Sequence, residues 1–371
     1  MPNPLYSIAL AMTPGLGCRS CRQLLEIYRD PEEIFNMDHR TLKEIFGTHD
    51  TIIESIYAKT MLPRAEEELN WTEKHKIKVL FCTDPDYPQR LNRSDCPDTP
   101  VTLYMKGDCD LNQKRIISIV GTRRATEYGK DMTARLVAQL KGEDILIVSG
   151  LAYGIDGASH RAALANALPT VGVLGHGLDQ IYPSQHRTLA KEMIYHDGAL
   201  LTEYPSQTKI NPGYFPARNR IIAALSDATI VVEAAEKGGA LITAGIAGSY
   251  HRDVFAVPGR VFDSYSKGCN NLIACNRANI LRSMDDLFYM LGWEKKNADT
   301  KTHANTQQEL FTKLNADEQA IYNQLHDTPN LTMQEIAEKT NISLPKIANA
   351  LLNMELNNQI KCLPGKIYKC C

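Results

Sequence analysis

Residues 1 to about 70 place apolar side chains at spacings of three and four, which is the period of amphipathic helices. The pattern predicts helices over residues 18–28, 41–45 and 52–69. The turn Pro14-Gly15-Leu16-Gly17 fits a helix-hairpin-helix, whose glycines let backbone N–H groups approach a phosphate, and fits a plain packing corner equally well. We predict an N-terminal helical domain of the SAM-like or helix-hairpin-helix kind over residues 1–72.

From Arg115 onward the pattern changes to short β-branched runs that alternate with amphipathic segments, as in a doubly wound, mostly parallel α/β sheet. Strands are predicted at residues 116–120, 145–148, 170–174, 200–202, 229–232 and 254–257. Helices are predicted at residues 129–140, 156–167, 184–195, 217–225 and 241–249. This α/β domain is expected to span residues 73–293.

Residues 294–314 are polar with few apolar positions, which predicts a linker. Beyond it, residues 318–325, 332–339 and 344–356 form a three-helix pattern, and the second helix begins with capping-box spacing from Thr332 to Glu335. Residues 359–368, turning at Pro364-Gly365, can add a two-stranded wing. We predict a winged-helix domain over residues 315–371.

Composition narrows the class of protein. The chain has 371 residues, of which 43% are hydrophobic and 23% charged, as in soluble multidomain proteins. Apolar stretches fall far short of the ~20 residues that cross a bilayer, and no secretory signal is indicated, so we expect a cytoplasmic protein. The ten cysteines are too sparse for a disulfide framework, and Cys18-x-x-Cys21 is best explained by helix packing. The net charge of −2 excludes a uniformly basic nucleic-acid binder but allows a local basic patch.

Glycine follows five of the six predicted strands. In open α/β sheets ligands bind outside the carboxyl ends of the strands, where glycine permits close approach of an anion to the backbone. Any one of these loops could be an ordinary tight turn, but five along one edge favour an anion site. The loops contain Gly121, Gly150 and Gly154, Gly175 and Gly177, Gly238 and Gly239, and Gly259.

The same edge is predicted to be cationic, and separated cations suit a polyanion better than one small nucleotide. Some of them are expected to pair with Glu233, Glu236 or Asp263. The cations are Arg123, Arg124, Arg218, Arg220, Lys237, Arg260 and Lys267.

Catalytic patterns are weak. The chain has neither the Gly-x-Gly-x-x-Gly fingerprint after the first predicted parallel strand nor a phosphate-binding P-loop sequence, so no dinucleotide or triphosphate is indicated. Asp156 and His160 share a helical face and could form an acid–base pair, but a structural hydrogen bond is the simpler interpretation. We expect no enzyme activity, no cofactor and no metal.

Seven motifs, in this order, resemble the DNA-processing protein DprA (Smf) family over about residues 80–282. They are Ile119-Val120-Gly121-Thr122-Arg123, Val148 to Asp156, Val173 to Asp179 with Tyr182-Pro183, Phe215-Pro216-Ala217-Arg218-Asn219-Arg220, Glu233 to Ala244, Phe255 to Gly259, and Ser266 to Ile273.

The resemblance implies an extended Rossmann-like domain that forms a homodimer, binds and protects single-stranded DNA in natural transformation, and loads the RecA recombinase onto it. Its phosphate pocket would fall on Gly121, Arg123, Ser149, Gly150 and Gly239. The motif residues Arg218, Asn219 and Arg220 would join it, as would Lys267 and Gly268. Lys237 stands where many members have Arg followed by Ser, so a hydroxyl contact would be lost there.

Two other functions stay open from the residues alone. One is a nucleotide-binding or nucleotide-hydrolysing enzyme of the LOG-like class, and the other is a scaffold whose winged helix recruits partners. The predicted recognition helix, residues 344–356, carries Lys346 as its only cation beside Glu355. We therefore expect the winged helix to contact protein, or DNA only weakly.

Overall fold

The computed structural model describes residues 3–295, 315–328, 330–356, 359–363 and 365–370. The chain divides into two compact units, Met1–Ala298 and Asp299–Cys371. Among the described residues, no helix is both long and apolar enough to span a bilayer.

The first unit begins with helices packed around a core of their own. They are α1 (Pro4–Met12), α2 (Cys18–Tyr28), α3 (Pro31–Phe35), α4 (His39–Phe46), α5 (Asp50–Tyr57) and α6 (Leu62–Lys74). The prediction of one helix over residues 52–69 is wrong, because Lys59 has a φ of +56° and Pro63 lies in the first turn of α6. Pro63 favours a helix start, so two helices replace one.

A sheet follows, and its described strands number nine. They are β1 (Lys78–Phe81), β2 (Thr102–Gly107), β3 (Ile116–Val120), β4 (Leu146–Ser149), β5 (Thr170–Val173), β6 (Ala199–Thr202), β7 (Ala228–Val231), β8 (Asp253–Ala256) and β9 (Asn279–Ile280). Their order is β1-β2-β6-β5-β4-β3-β7-β8-β9. The pairs from β6 through β9 are parallel, while β1 and β2 join antiparallel at one edge. The doubly wound, mostly parallel sheet is confirmed.

Helices connect the strands and cover both faces of the sheet. They are α7 (Glu127–Ala138), α8 (Ile155–Ala165), α9 (Arg187–Tyr195, preceded by a 3-10 turn over Ser184–His186), α10 (Tyr214–Leu225), α11 (Gly239–Ser249), α12 (Lys267–Ala274) and α13 (Met284–Met290).

Alternating residues of β3 enter two different cores, because successive strand side chains point to opposite faces. Ile116 and Val120 join a core that includes α10 and α11, whereas Ile117 and Ile119 join one that includes α7 and α8. From β3 the chain winds through β4, β5 and β6 on one side and returns to β7 on the other. The carboxyl ends of β3 and β7 therefore form the switch point at which such sheets bind ligands.

Buried polar contacts fasten α6 to the segment that precedes α10. The carboxylate of Glu68, which is fully buried, accepts hydrogen bonds from Ser206 N at 2.8 Å and from Ser206 Oγ at 2.5 Å. Arg64 donates to Glu68 at 2.8 Å and to the Ser206 carbonyl at 2.7 Å. The N-terminal helices thus pack onto the α/β part of the same unit, and the boundary between residues 72 and 73 stays a prediction.

The second unit has the helix and strand order of a winged helix. It contains α14 (Ala316–Asp327), β10 (Leu331–Thr332), α15 (Met333–Thr340), α16 (Leu344–Leu356), β11 (Ile360–Leu363) and β12 (Ile367–Cys370), with the sheet order β10-β12-β11. The predicted capping box from Thr332 to Glu335 is present at the start of α15. Most of the predicted linker, residues 296–314, and Pro364 of the predicted wing turn lie outside the described residues.

Candidate nucleic-acid interface

A cavity of about 470 Å³ opens at the switch point of the sheet. Its walls come from the loops after β3, β4, β7 and β8 and from the N-terminal parts of α8, α10 and α11. Three exposed cations, Arg123, Arg124 and Lys237, line it. The sequence prediction that glycines and cations meet at this edge therefore matches their positions.

The loop after β3 is held close to two neighbouring elements. A Cβ on Gly121 would lie 2.4 Å from Ile155 Cγ1, so only glycine fits between the loop and α8. Thr122 N donates to the Glu233 carbonyl at 2.7 Å, which ties the loop to the residues that follow β7. The guanidinium carbon of the exposed Arg123 lies 5.6 Å from the ring centroid of Phe215, a cation–π contact. Arg123 is thereby held at the cavity mouth.

The loop after β4 lies beside two buried side chains of opposite charge, Arg218 and Asp156. Arg218, with 3% of its surface exposed, donates through Nη1 to the Gly150 carbonyl at 2.6 Å and to the Val173 carbonyl. A Cβ on Gly150 would lie 2.6 Å from both Arg218 Nη1 and Asp156 Oδ2, so the glycine makes room for both side chains. Ser149 Oγ donates to the Ile119 carbonyl at 2.6 Å. Arg218 and Ser149 therefore already hold protein partners.

The environment of this pair shifts both pKa values. Burial lowers the pKa of the Arg218 guanidinium to about 10, although the carboxylate of Asp156 opposes the shift. Burial also raises the pKa of Asp156, while the charge of Arg218 opposes that rise. Because a charge in a low-dielectric interior is costly without a partner, each group depends on the other.

The other two polar residues of the Phe-Pro-x-Arg-Asn-Arg motif, Asn219 and Arg220, have different partners from Arg218. Arg220 forms a bidentate ion pair with Glu203, at 2.7 and 2.6 Å, and donates to the Asp98 carbonyl at 2.9 Å. It also contacts Cys18 Sγ of α2 at 3.5 Å. Asn219 lines the cavity, and its amide nitrogen lies 3.4 Å from the Gly239 carbonyl. Of these two, only Asn219 faces the cavity.

The loop after β7 delivers the N-terminus of α11 to the cavity. Helical geometry leaves the first amide groups, those of Gly239 and Ala240, without partners inside the helix, and no side chain of the described residues caps them. A Cβ on Gly238 or Gly239 would meet nothing within 4 Å, so the space beside this backbone is open. With Lys237 beside it, this helix end favours an anion.

The last two predicted site residues lie at the start of α12. Lys267 is exposed and lies outside the cavity lining. Gly268 is buried, its amide donates to the Ala234 carbonyl at 2.9 Å, and a Cβ there would lie 2.4 Å from the Ala235 carbonyl oxygen. Gly268 therefore packs against the β7 loop.

Some interactions differ from those expected. The described ion pairs include none between the seven cations and Glu233, Glu236 or Asp263; Arg220 pairs with Glu203. Glu233 accepts from Thr126 N at 2.9 Å and Thr126 Oγ1 at 2.6 Å instead.

Sequence reasoning did not single out Phe215 as a partner of Arg123, or Asp156 as a partner of Arg218. Both lie in motifs that were recognised, but contacts between distant motifs do not show in the spacing. His160 Nδ1 lies 2.7 Å from Thr170 Oγ1, so this ring nitrogen has a neutral structural partner. Within the described part of the chain, no three His, Cys, Asp or Glu side chains are grouped closely enough to hold a metal ion.

The family model for DNA recombination-mediator protein A matches residues 78–292, which is more than half of the chain. The chain belongs to the DprA family. A second model, the DprA winged helix domain, matches residues 304–366 and confirms the winged helix of the second unit.

Individual DprA proteins are similar over most of their length. The DNA processing protein DprA of Bacillus subtilis is 42% identical over 237 residues, which is 64% of this chain and 77% of that protein. The crystal structure of DprA from Streptococcus pneumoniae superposes with a TM-score of 0.68 at 32% identity, covering 80% of this chain and all of the other. A structure of DNA processing protein A from Helicobacter pylori, which concerns the single-stranded DNA binding mode of that protein, gives a TM-score of 0.52 at 30% identity and covers 58% of this chain and 95% of the other.

Proposed function

We propose that this chain binds single-stranded DNA along the carboxyl edge of its sheet, as a recombination mediator. The observation that carries the proposal is the switch-point cavity, where exposed Arg123, Arg124 and Lys237 stand beside the uncapped N-terminus of α11. Backbone amides and separated cations suit a row of phosphates. The single-stranded DNA binding of the Helicobacter relative supports the same polymer.

The predicted site residues divide into two roles under this proposal. Gly239 gives the strand room to approach the backbone, while Arg123, Lys237, Asn219 and Lys267 contact it. Gly121 and Gly150 instead leave room for neighbouring side chains of the protein, and so shape the loops. Arg218, Arg220, Ser149 and Gly268 position the loops, because their polar groups already have protein partners.

We also propose that the chain catalyses no covalent reaction. Asp156 is the carboxylate of the cavity lining, and it is buried near the positive charge of Arg218. A general base needs a free lone pair within reach of a substrate proton. The nucleotide-hydrolysing alternative is tested by incubating nucleoside triphosphates with the protein and separating the products; turnover that Asp156→Asn abolishes would replace the present proposal.

The remaining steps follow from membership of the family. We propose that the chain acts in the cytoplasm, protects incoming single strands during natural transformation, loads RecA onto them, and works as a homodimer through the α/β part of its first unit. Binding through phosphates supports these steps, because it leaves bases available for the recombinase.

Fluorescence anisotropy of labelled single-stranded and duplex DNA tests the binding proposal. Arg123→Ala combined with Lys237→Ala should weaken single-strand binding by about 30-fold, at roughly 1 kcal/mol for each exposed phosphate contact. Lys114→Ala combined with Lys141→Ala removes the same charge from exposed positions before β3 and before β4, at the opposite edge, and should change little. Equal effects of the two double variants would refute a site at the carboxyl edge.

Salt dependence gives an independent measure. If about four phosphates are neutralised, the logarithm of the affinity should fall against the logarithm of the salt concentration with a slope of roughly −3. A flat dependence would contradict phosphate binding.

A further inference from the structure

Phe262 is the most exposed large apolar side chain in the described part of the chain, with 97% of its surface in solvent. Val261 beside it is 74% exposed. Both lie in the loop between β8 and α12, at the carboxyl edge of the sheet. Burying a phenyl ring is favourable, so a ring this exposed indicates a binding partner that covers it.

The backbone holds this ring outward in a defined turn. Asp263 N donates to the Arg260 carbonyl at 3.1 Å, which closes a turn with Val261 and Phe262 at its two central positions. Such positions ordinarily carry Gly, Pro, Asn, Asp or Ser. The turn itself does not require two apolar residues at this solvent-facing corner.

The turn is braced at both ends. The side-chain amide of Asn270 accepts from Gly259 N and donates to the Gly259 carbonyl, both at 3.1 Å. The Asp263 carboxylate accepts from Tyr265 N at 3.1 Å and from Ser266 Oγ at 3.3 Å. A ring on a braced turn loses little conformational freedom when it binds.

The charges around the loop indicate which class of molecule would cover Phe262. Exposed cations stand at its two ends, Arg260 and Lys267, while its own carboxylate, Asp263, is engaged within the loop. Two copies of this loop facing each other would bring like charges together, whereas a polyanion would neutralise them. Tyr265 of the same loop lines the switch-point cavity, so the loop adjoins the proposed strand site.

We propose that Phe262, with Val261 beside it, is a base-stacking platform for single-stranded DNA next to the switch-point cavity. This inference rests on the proposed function. Every nucleobase has a π-face, so stacking tolerates any sequence. Bases in a duplex are already stacked and paired, so Phe262 gives the chain a preference for single strands over duplex.

The test separates base contacts from phosphate contacts. Anisotropy is measured with an oligothymidylate of about 20 nucleotides and with an abasic oligonucleotide of the same length and charge. Phe262→Ala should weaken oligothymidylate binding five- to twentyfold, corresponding to about 1–2 kcal/mol for one stacked base, and leave abasic binding and the salt slope unchanged. Phe262→Trp should restore the affinity.

Other outcomes overturn the inference. Unchanged oligothymidylate binding by Phe262→Ala, while the Arg123 and Lys237 double variant loses it, would refute the platform and leave the proposed function standing. An equal loss on both oligonucleotides would mean that the substitution acts on the phosphate contacts. If sedimentation shows that Phe262→Ala changes the association state, the ring is covered by a second copy instead. If the wild type binds neither oligonucleotide, both proposals fall.

Discussion

Replacing Arg218 by methionine tests whether the buried pair with Asp156 supports the site. The guanidinium donates to the carbonyls of Gly150 and Val173, and its positive charge acts on the nearby Asp156 carboxylate, whose side chain is buried. Methionine keeps much of the volume but leaves a buried carboxylate and two carbonyls without that donor. Leaving a buried charge without its compensating partner costs about 3–5 kcal/mol, so we expect the free energy of unfolding to fall by about that amount.

Tryptophan fluorescence during urea unfolding of the intact chain gives the assay. The two tryptophans, Trp71 and Trp293, both belong to the first unit, so the signal reports that unit and not the winged helix. Arg124→Met is the matched control, because Arg124 is an exposed arginine of the same edge. Its effect should stay within about 0.5 kcal/mol.

The pH dependence of the unfolding free energy gives a second test of the Arg218→Met variant. Burial raises the pKa of Asp156 in the folded state, so the folded chain keeps this proton to a higher pH than the unfolded chain does. Stability from this group is therefore greatest at acid pH and falls as the pH rises from the unfolded pKa, about 3.9, to the folded pKa. Without Arg218 the folded pKa rises further, and the fall extends to higher pH.

The difference in unfolding free energy between wild type and Arg218→Met should consequently be smallest at acid pH and grow toward neutral pH. Each unit of added pKa shift contributes about 1.4 kcal/mol. A loss below 1 kcal/mol at neutral pH, or a loss that is the same at every pH, would refute the view that the charge of Arg218 stabilises the Asp156 carboxylate.

Three further predictions concern other parts of the chain. Gly150→Ala should lower the thermal midpoint strongly, because its Cβ would lie 2.6 Å from Arg218 and Asp156. Gly238→Ala is the control, because its Cβ would meet nothing within 4 Å, and it should leave the midpoint nearly unchanged. Similar midpoints for the two variants would count against this steric reasoning. Glu335→Ala removes the capping box of α15 and should lower the stability of that helix by about 1 kcal/mol. Amide hydrogen exchange in the helix should then become about fivefold faster. Unchanged exchange would contradict a stabilising role for the cap. Deleting residues 315–371 should keep single-strand affinity within about tenfold of wild type in the anisotropy assay, since α16 offers Lys346 as its only cation; a larger loss would assign DNA contacts to the winged helix.

The sequence predicted six of the seven described parallel strands, because each of the six is a short, largely buried apolar run. The seventh, β9, was missed because it has two residues and is partly exposed. Residues 116–120 became β3 with the same limits. The antiparallel edge was missed because β1 and β2 lack the alternation with helices that marked the others. Residues 52–69 form two helices because a single residue, Lys59, adopts a positive φ, which periodicity does not reveal.

The sequence predicted which residues belong to the candidate site. It did not predict which of them are exposed and which are bound to other parts of the protein. Arg123 and Arg218 are alike in sequence terms, yet one is exposed over Phe215 and the other is buried against Gly150. Whether an arginine meets solvent or a carbonyl depends on backbone from other strands, which spacing along the chain does not encode. Arg220 illustrates the same point, since its partner Glu203 follows a different strand.

The hydrogen bonds between Glu68 and Ser206 affect how this protein can be shortened. A fragment beginning after residue 72 would lose the buried acceptor of the segment that leads into α10, and Arg220 would lose its contact with Cys18. The N-terminal helices thus hold the segment that leads into α10 and Arg220 of α10 in place, although these residues lie far from the helices along the chain. Engineered versions should retain these helices or supply a substitute acceptor for Ser206.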